Sequence, residues 1–134
     1  MQHFCLESEL NRNPTRDALR KKNIFLDTEV CALCEYGIEM AEHLLTACEF
    51  SYTIWMGISR WLNLAPVMCF SVRDILDLQK YTNLRKREAE VVRCIFITTC
   101  WCIWNARNEK VFKNVVDRVH YGRYKNSWFS LAKK

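Results

Sequence analysis

Cys31-Ala32-Leu33-Cys34-Glu35-Tyr36-Gly37-Ile38-Glu39-Met40-Ala41-Glu42-His43-Leu44-Leu45-Thr46-Ala47-Cys48 decides the fold. Four of its residues form a C-x2-C-x8-H-x4-C pattern. Three thiolates and one imidazole are the donor set of tetrahedral zinc, and two of the thiolates sit on a tight C-x2-C hook. The competing reading is a group of unrelated buried cysteines. The metal reading carries a geometric condition. Residues 43 and 48 are five apart, about 140° around an ideal helix, so an unbroken helix cannot aim both at one ion. Met40, His43, Leu44 and Ala47 recur at helical spacing. A short helix is therefore predicted to carry His43, end near Thr46 or Ala47, and deliver Cys48 from its unwound terminus.

The 134 residues are half apolar, with 13% aromatic residues, three glycines and two prolines. This composition builds a core and favours helices over many short strands. Eight cysteines are compatible with a secreted disulfide framework. However, Met1-Gln2-His3-Phe4-Cys5 has no charged region followed by an apolar one, so no signal peptide is expected. Reduced thiols in an intracellular setting, nucleus or cytoplasm, then read as metal ligands. The uncharged stretch Cys94 to Trp104 is too short to span a bilayer and reads as a buried helix, so no membrane association is expected.

Outward from the cysteine loop, Pro14-Thr15-Arg16-Asp17 reads as a helix start with Thr15 as N-cap, running to about Lys22 with Leu19 inward. Ile24-Phe25-Leu26 should then lead in extended fashion to the hook. Ser51 reads as the cap of a second helix with an apolar face of Ile54, Trp55, Ile58, Trp61 and Leu62, ended by a loop at Pro66. Ser71 and Asp74 form a capping-box pattern opening a helix through Ile75, Leu76 and Leu78. A long helix is expected from Asn83 to about Phe112. Its inward stripe is Val92, Ile95, Phe96, Thr99, Ile103 and Ala106, widened by Trp101 and Trp104. Cys100 and Cys102 point to nearly opposite sides of it and read as core filler. A last segment, Val115 to Leu131, sets Val116, Val119, Tyr124, Trp128 and Leu131 loosely on one face.

The fold expected is mainly α, a small helical domain organised around one structural CCHC zinc site, with a long buried C-terminal helix. It is read as one domain, 1–134: a zinc-binding module over 10–65 and a helical extension over 66–134.

The landmarks Asn13-Pro14-Thr15-Arg16-Asp17-Ala18-Leu19, Cys31-Ala32-Leu33-Cys34, Glu42-His43-Leu44-Leu45-Thr46-Ala47-Cys48 and Trp101-Cys102-Ile103-Trp104-Asn105-Ala106-Arg107-Asn108-Glu109-Lys110-Val111-Phe112 fall in a familiar order. Together they resemble the zinc-binding domain that follows the reverse transcriptase in plant LINE-type (non-LTR) retrotransposons, with the W-x2-W-x2-R-N-x3-F segment that trails it. The resemblance covers roughly residues 10 to 112. It implies that Cys31, Cys34, His43 and Cys48 ligate one structural Zn2+. It also implies nucleic-acid binding, since such modules grip template RNA or target DNA. The chain departs from the pattern at Asn13, where the family carries Leu or Ile. It has no Y-x-D-D box and no ribonuclease H quartet of acids, so no catalytic activity is expected. It looks like a stand-alone or fragment copy of the module.

The charges distribute the expected functions. Glu29, Glu35, Glu39, Glu42 and Glu49 share the metal loop with no lysine or arginine between them. Three thiolates on Zn2+ add a further net negative charge, so polyphosphate should avoid the loop. Arg12, Arg16, Arg20, Lys21 and Lys22 cluster upstream, and Arg85, Lys86 and Arg87 form a second group. From Arg107 to Lys134, eight basic residues face two acids. RNA or DNA is expected on the first helix and on the tail at Arg123 and Lys125, with Tyr121, Tyr124 and Trp128 available for stacking. The alternative is a protein-interaction or vestigial module without nucleic-acid binding, forming homo-oligomers or meeting a protein partner through Trp101, Trp104 and Trp128. His3, His120, Cys5 and the Glu88/Glu90 pair support no catalytic reading.

Overall fold

The structure, a computed structural model, describes residues 12–65, 71–77 and 83–113. Among the described residues there are four α-helices and one π-helical turn: α1 (Arg16–Lys21), the turn His43–Ala47, α2 (Glu49–Trp61), α3 (Val72–Leu76) and α4 (Lys86–Lys113). Among the described residues there is no strand, only an isolated antiparallel bridge between Val30 and Ile38. The loop at Pro66, Leu78 and the segment from Val115 to Leu131 lie outside the described residues. Among the described residues, no helix is long and apolar enough to cross a membrane.

α1 starts as its sequence dictates. Thr15 is extended and its hydroxyl accepts the Ala18 N–H at 3.2 Å, which satisfies one donor of the first turn. At its C-terminus Asn23 adopts φ 59°, with the Asn23 N–H on the Arg20 carbonyl and the Ile24 N–H on the Leu19 carbonyl. α2 ends identically at Asn63 (φ 52°), with Asn63 on Arg60 and Leu64 on Ser59. Both are Schellman closures in which asparagine takes the left-handed position usually given to glycine. In a chain with three glycines this is how helices stop. α1 buries Asp17 and Ala18 rather than Leu19, which is only half-buried. Lys21, first, and then Arg20 hold the Asp17 carboxyl below its ordinary value, against the opposing effect of burial. A depressed folded pKa contributes stability that is complete above the unfolded value and lost as pH falls through the folded one.

The predicted break in the metal loop is present. The turn closes with the Cys48 N–H on the His43 carbonyl at 2.7 Å, a five-residue step, and Cys48 itself is extended at φ −69°, ψ 137°. Such an ending strands the carbonyls of Leu44 and Leu45. Two side chains of α2 take them: the Ser51 hydroxyl donates to Leu44 O, and Trp55 Nε1 donates to Leu45 O at 2.7 Å. This corrects the reading of Ser51. α2 begins three residues earlier, at Glu49 with Cys48 in the N-cap position, and buried Ser51 caps the end of the preceding turn instead of the start of its own helix.

The core lies where this turn, α2 and α4 meet. Leu44, Leu45, Trp55, Phe96, Cys100 and Ile103 are all at most 2% exposed, and the Trp55 and Phe96 rings pack at 5.0 Å between centroids. Trp61 lies at the edge of the α2 face, 37% exposed. α3 packs on α4 and opens with the full capping box: Asp74 N–H on Ser71 Oγ, and Ser71 N–H on Asp74 Oδ2.

α4 starts at Lys86 rather than Asn83. Arg85 precedes it, its N–H held by Glu88 Oε2 at 3.2 Å. Val92, Phe96, Thr99, Ile103 and Ala106 face inward as predicted, Ile95 is half-buried, and Ala89, Ile97, Cys100 and Arg107 join them. Trp101 does not widen that face. It is 46% exposed on the opposite side, alongside exposed Val91 and Cys94. A helix apolar on several sides gives no periodic signal of which side is inward.

Replacing Trp55 with Phe keeps the ring but orphans the Leu45 carbonyl. We expect a loss of about 1–3 kcal/mol in denaturant unfolding. An unchanged midpoint would show that this hydrogen bond does not hold the end of the turn.

Candidate metal centre

Cys31 and Cys34 lie on the hook, where the Cys31 N–H donates to Gly37 O and the Glu35 N–H to Cys31 O, both at 2.9 Å. This reversal places Glu35 at φ 62° and Gly37 at φ 64°. A side chain at Gly37 would make ordinary contact with the His43 ring, its Cβ 3.5 Å from Cε1. Glycine is therefore favoured there by the backbone and not by space.

The hook, the His43 turn and the extended Cys48 bring four donor atoms within 4.8 Å of one another. Cys31 Sγ and Cys48 Sγ are 4.0 Å apart, and Cys34 Sγ and His43 Nε2 are 3.3 Å apart. Metal–ligand bonds of about 2.3 Å to sulfur and 2.0 Å to nitrogen give tetrahedral edges of about 3.8 Å and 3.5 Å, so the four donors fit one such ion. Cys31 and Cys48 are at most 1% exposed, whereas Cys34 and His43 are half-buried. The Tyr36 N–H also donates to Cys34 Sγ, at 3.4 Å.

The electrostatics of the buried pair point the same way. The Cys31 thiol is held down to about 5, chiefly by the hydrogen bond from Cys48 and then by backbone N–H groups of Cys34 and Leu33, against the effect of burial. Cys48 is pushed up by that same bond, by burial and by the charge on Cys31. Two sulfurs this close and this buried share one proton unless a cation compensates both charges. The remaining described cysteines stand apart: Cys94 is exposed, Cys100 is in the core, and burial raises Cys102 to about 11.

One of the five glutamates of the metal loop organises these elements. Glu39 is fully buried. Its Oε1 accepts from Arg107 Nε at 3.0 Å, from Arg107 Nη2 at 2.5 Å and from the Arg16 N–H at 3.1 Å. Its Oε2 accepts from the Ala32 N–H, inside the hook, at 3.0 Å. Its backbone N–H reaches Glu29 O at 2.9 Å, and its carbonyl takes the Asp17 N–H at 3.2 Å. Arg107 is 3% exposed. Trp104 stacks 5.0 Å from its guanidinium carbon, Asn108 Oδ1 accepts from Nη1 at 2.9 Å, and Pro14 O accepts from Nη2 at 3.5 Å. One turn on, Lys110 Nζ reaches Leu33 O at 3.4 Å and Glu35 Oε1 at 3.1 Å.

The upstream basic residues do not form a free positive face. Arg16 turns inward, its Nη1 on Val30 O at 2.7 Å and its Nε 4.0 Å from Glu39. Arg20 pairs with Asp17 at 3.5 Å and with Glu29 at 3.2 Å, and Lys21 pairs with Asp17 at 2.8 Å. Arg12 and Lys22 are exposed. Arg123, Lys125, Tyr121, Tyr124 and Trp128 lie outside the described residues.

Residues 1–55 match the family described as zinc-binding in reverse transcriptase. The matched stretch contains all four donors. No curated protein and no solved structure matches the chain.

A divalent cation held by Cys31 and Cys48 would need both as thiolates, so a proton shared by the pair would be released on binding. We expect metal binding at pH 7 to release at least one proton, and affinity to fall as pH falls. Calorimetry in buffers of different ionisation enthalpy measures this release. Binding heats that do not depend on the buffer would contradict a shared-proton thiol pair.

Proposed function

We propose that the chain is a non-catalytic module in which one zinc ion, held by Cys31, Cys34, His43 and Cys48, acts as a structural staple. The supporting observation is the closed donor set: four protein ligands at tetrahedral spacing, two of them fully buried, leave no position for an activated water. Structural zinc contributes on the order of 10–16 kcal/mol in small finger peptides, enough to determine whether a domain of this size folds. The sequence landmarks favour descent from a plant LINE-type element, as a detached copy of its zinc-binding region.

Within this reading, the activity is weak, sequence-tolerant binding of RNA or DNA by the outer side of α1. Arg20, Lys21 and Lys22 project there, the first two with side chains 51% and 59% exposed. The charged ends of Arg20 and Lys21 pair with buried Asp17 and partly exposed Glu29, and a phosphate offers them a competing acceptor. The metal loop itself stays acidic at Glu35, Glu42 and Glu49, all exposed.

A second reading, a protein-interaction module, is favoured by the apolar surface. Phe25 is 86% exposed, and Phe112, 77% exposed, lines a groove of about 590 Å³ together with Leu19, Leu26, Trp104 and Val111. Trp101 is open to solvent, but Trp104 is committed to Arg107.

Fluorescence anisotropy with single-stranded RNA and duplex DNA across a salt series separates the two. We expect affinity to fall steeply with salt. Arg20→Ala combined with Lys22→Ala should reduce the log–log slope by about 0.7–0.9 for each phosphate no longer neutralised. Absence of binding at low salt, together with a salt-insensitive oligomer, would exclude the nucleic-acid reading.

A further inference from the structure

Two stretches far apart in sequence converge on one carboxylate that no metal-ligand pattern includes. Pro14, Arg16 and Asp17 approach Glu39 or its partner from α1, and Trp104, Arg107 and Asn108 approach from α4. The opposite oxygen of the same carboxylate holds the Ala32 N–H, between the two cysteines of the hook. We propose that Arg107 is a positioning residue for the metal centre: through Glu39 it fixes the C-x2-C hook in its ligating conformation, so that α4 belongs to the zinc-binding unit although it lies beyond the matched residues 1–55. The proposal rests on the zinc reading given above.

The physical case has three parts. First, Arg107 Nε and Nη2 converge on Glu39 Oε1, while the Ala32 N–H of the hook donates to Oε2, so the two functions of the carboxylate do not compete. Secondly, the pair is buried on both sides, with side chains 4% and 0% exposed, so neither charge can be abandoned to solvent. Loss of Arg107 leaves Glu39 with only the more distant Arg16 guanidinium, 4.0 Å away, as counter-charge, and loss of Glu39 leaves the Arg107 guanidinium buried without a carboxylate. Thirdly, the guanidinium is itself held in place by Trp104 and Asn108, on either side of it in the same helix. Lys110 adds a positive charge beside the hook through Leu33 O and Glu35, opposing the net negative charge of a zinc ion bound by three thiolates. Groups beyond the direct ligands that orient a metal site commonly change affinity by about 10–100-fold.

The test is zinc affinity of the full chain, by competition with a chromophoric chelator. It compares the wild type, Glu39→Gln, Arg107→Gln and the double variant, with Arg87→Gln, at an exposed position, as control. We expect each single variant to bind zinc roughly 10–100-fold more weakly, and the double variant to lose no more than either single one. Cobalt(II) substitution should show the same thiolate charge-transfer bands in each at saturation, because the ligand set is intact. A purely structural brace would lower the thermal midpoint equally with and without chelator and leave zinc affinity unchanged. That result overturns the proposal. Should Arg107→Gln not fold, Arg107→Lys keeps the charge but loses the paired donors. It is expected to bind zinc more weakly than wild type, and equal affinity would be fatal to the proposal. A wild-type chain that takes up no zinc would instead refute the metal reading itself.

Discussion

The burial of one carboxylate is the constraint on which the rest of the structure depends. Glu39 has both oxygens, its N–H and its carbonyl engaged, and its partners come from α1, the cysteine hook and α4. A buried charge with one partner removed typically costs about 3–5 kcal/mol, so these elements are either arranged together or not arranged at all. The cysteine hook needs such an external brace. It is a short reversal with two left-handed residues, Glu35 and Gly37, and its base is an isolated bridge between Val30 and Ile38 rather than a strand pair.

The hydrophobic part of the fold answers the same need from the other side. The π-helical turn that ends at Ala47 frees Cys48 to point at the other donors, at the expense of two unpaired carbonyls. Ser51 and Trp55 satisfy them, and the Trp55 ring continues onto Phe96 in α4. Packing of α2 against α4 and formation of the metal centre are therefore aspects of one arrangement.

How much of this is legible in the sequence follows from the range of each interaction. The Thr15 cap, the Ser71 box and the break between His43 and Cys48 are settled within a few residues, and spacing alone exposes them. Ser51 misleads because a serine near a helix start usually caps that helix, whereas here its partner is a carbonyl of the turn before. Trp101 misleads because α4 is apolar on more than one side. Glu39 is hidden for another reason. It is one of five glutamates in a loop without lysine or arginine, and its counter-charge lies 68 residues away. The trace it leaves is that the W-x2-R-N segment follows the uncharged run Cys94 to Trp104 with an arginine near a tryptophan and an asparagine, both of which touch it.

The central claim is that Cys31, Cys34, His43 and Cys48 close around one ion. X-ray absorption at the zinc edge of the purified chain, with metal content from the same sample, tests it most directly. The account expects one zinc per chain, with three sulfur neighbours at about 2.3 Å, one nitrogen at about 2.0 Å and no oxygen. A folded chain without stoichiometric zinc, or an ion with water or carboxylate in its coordination sphere, would contradict it.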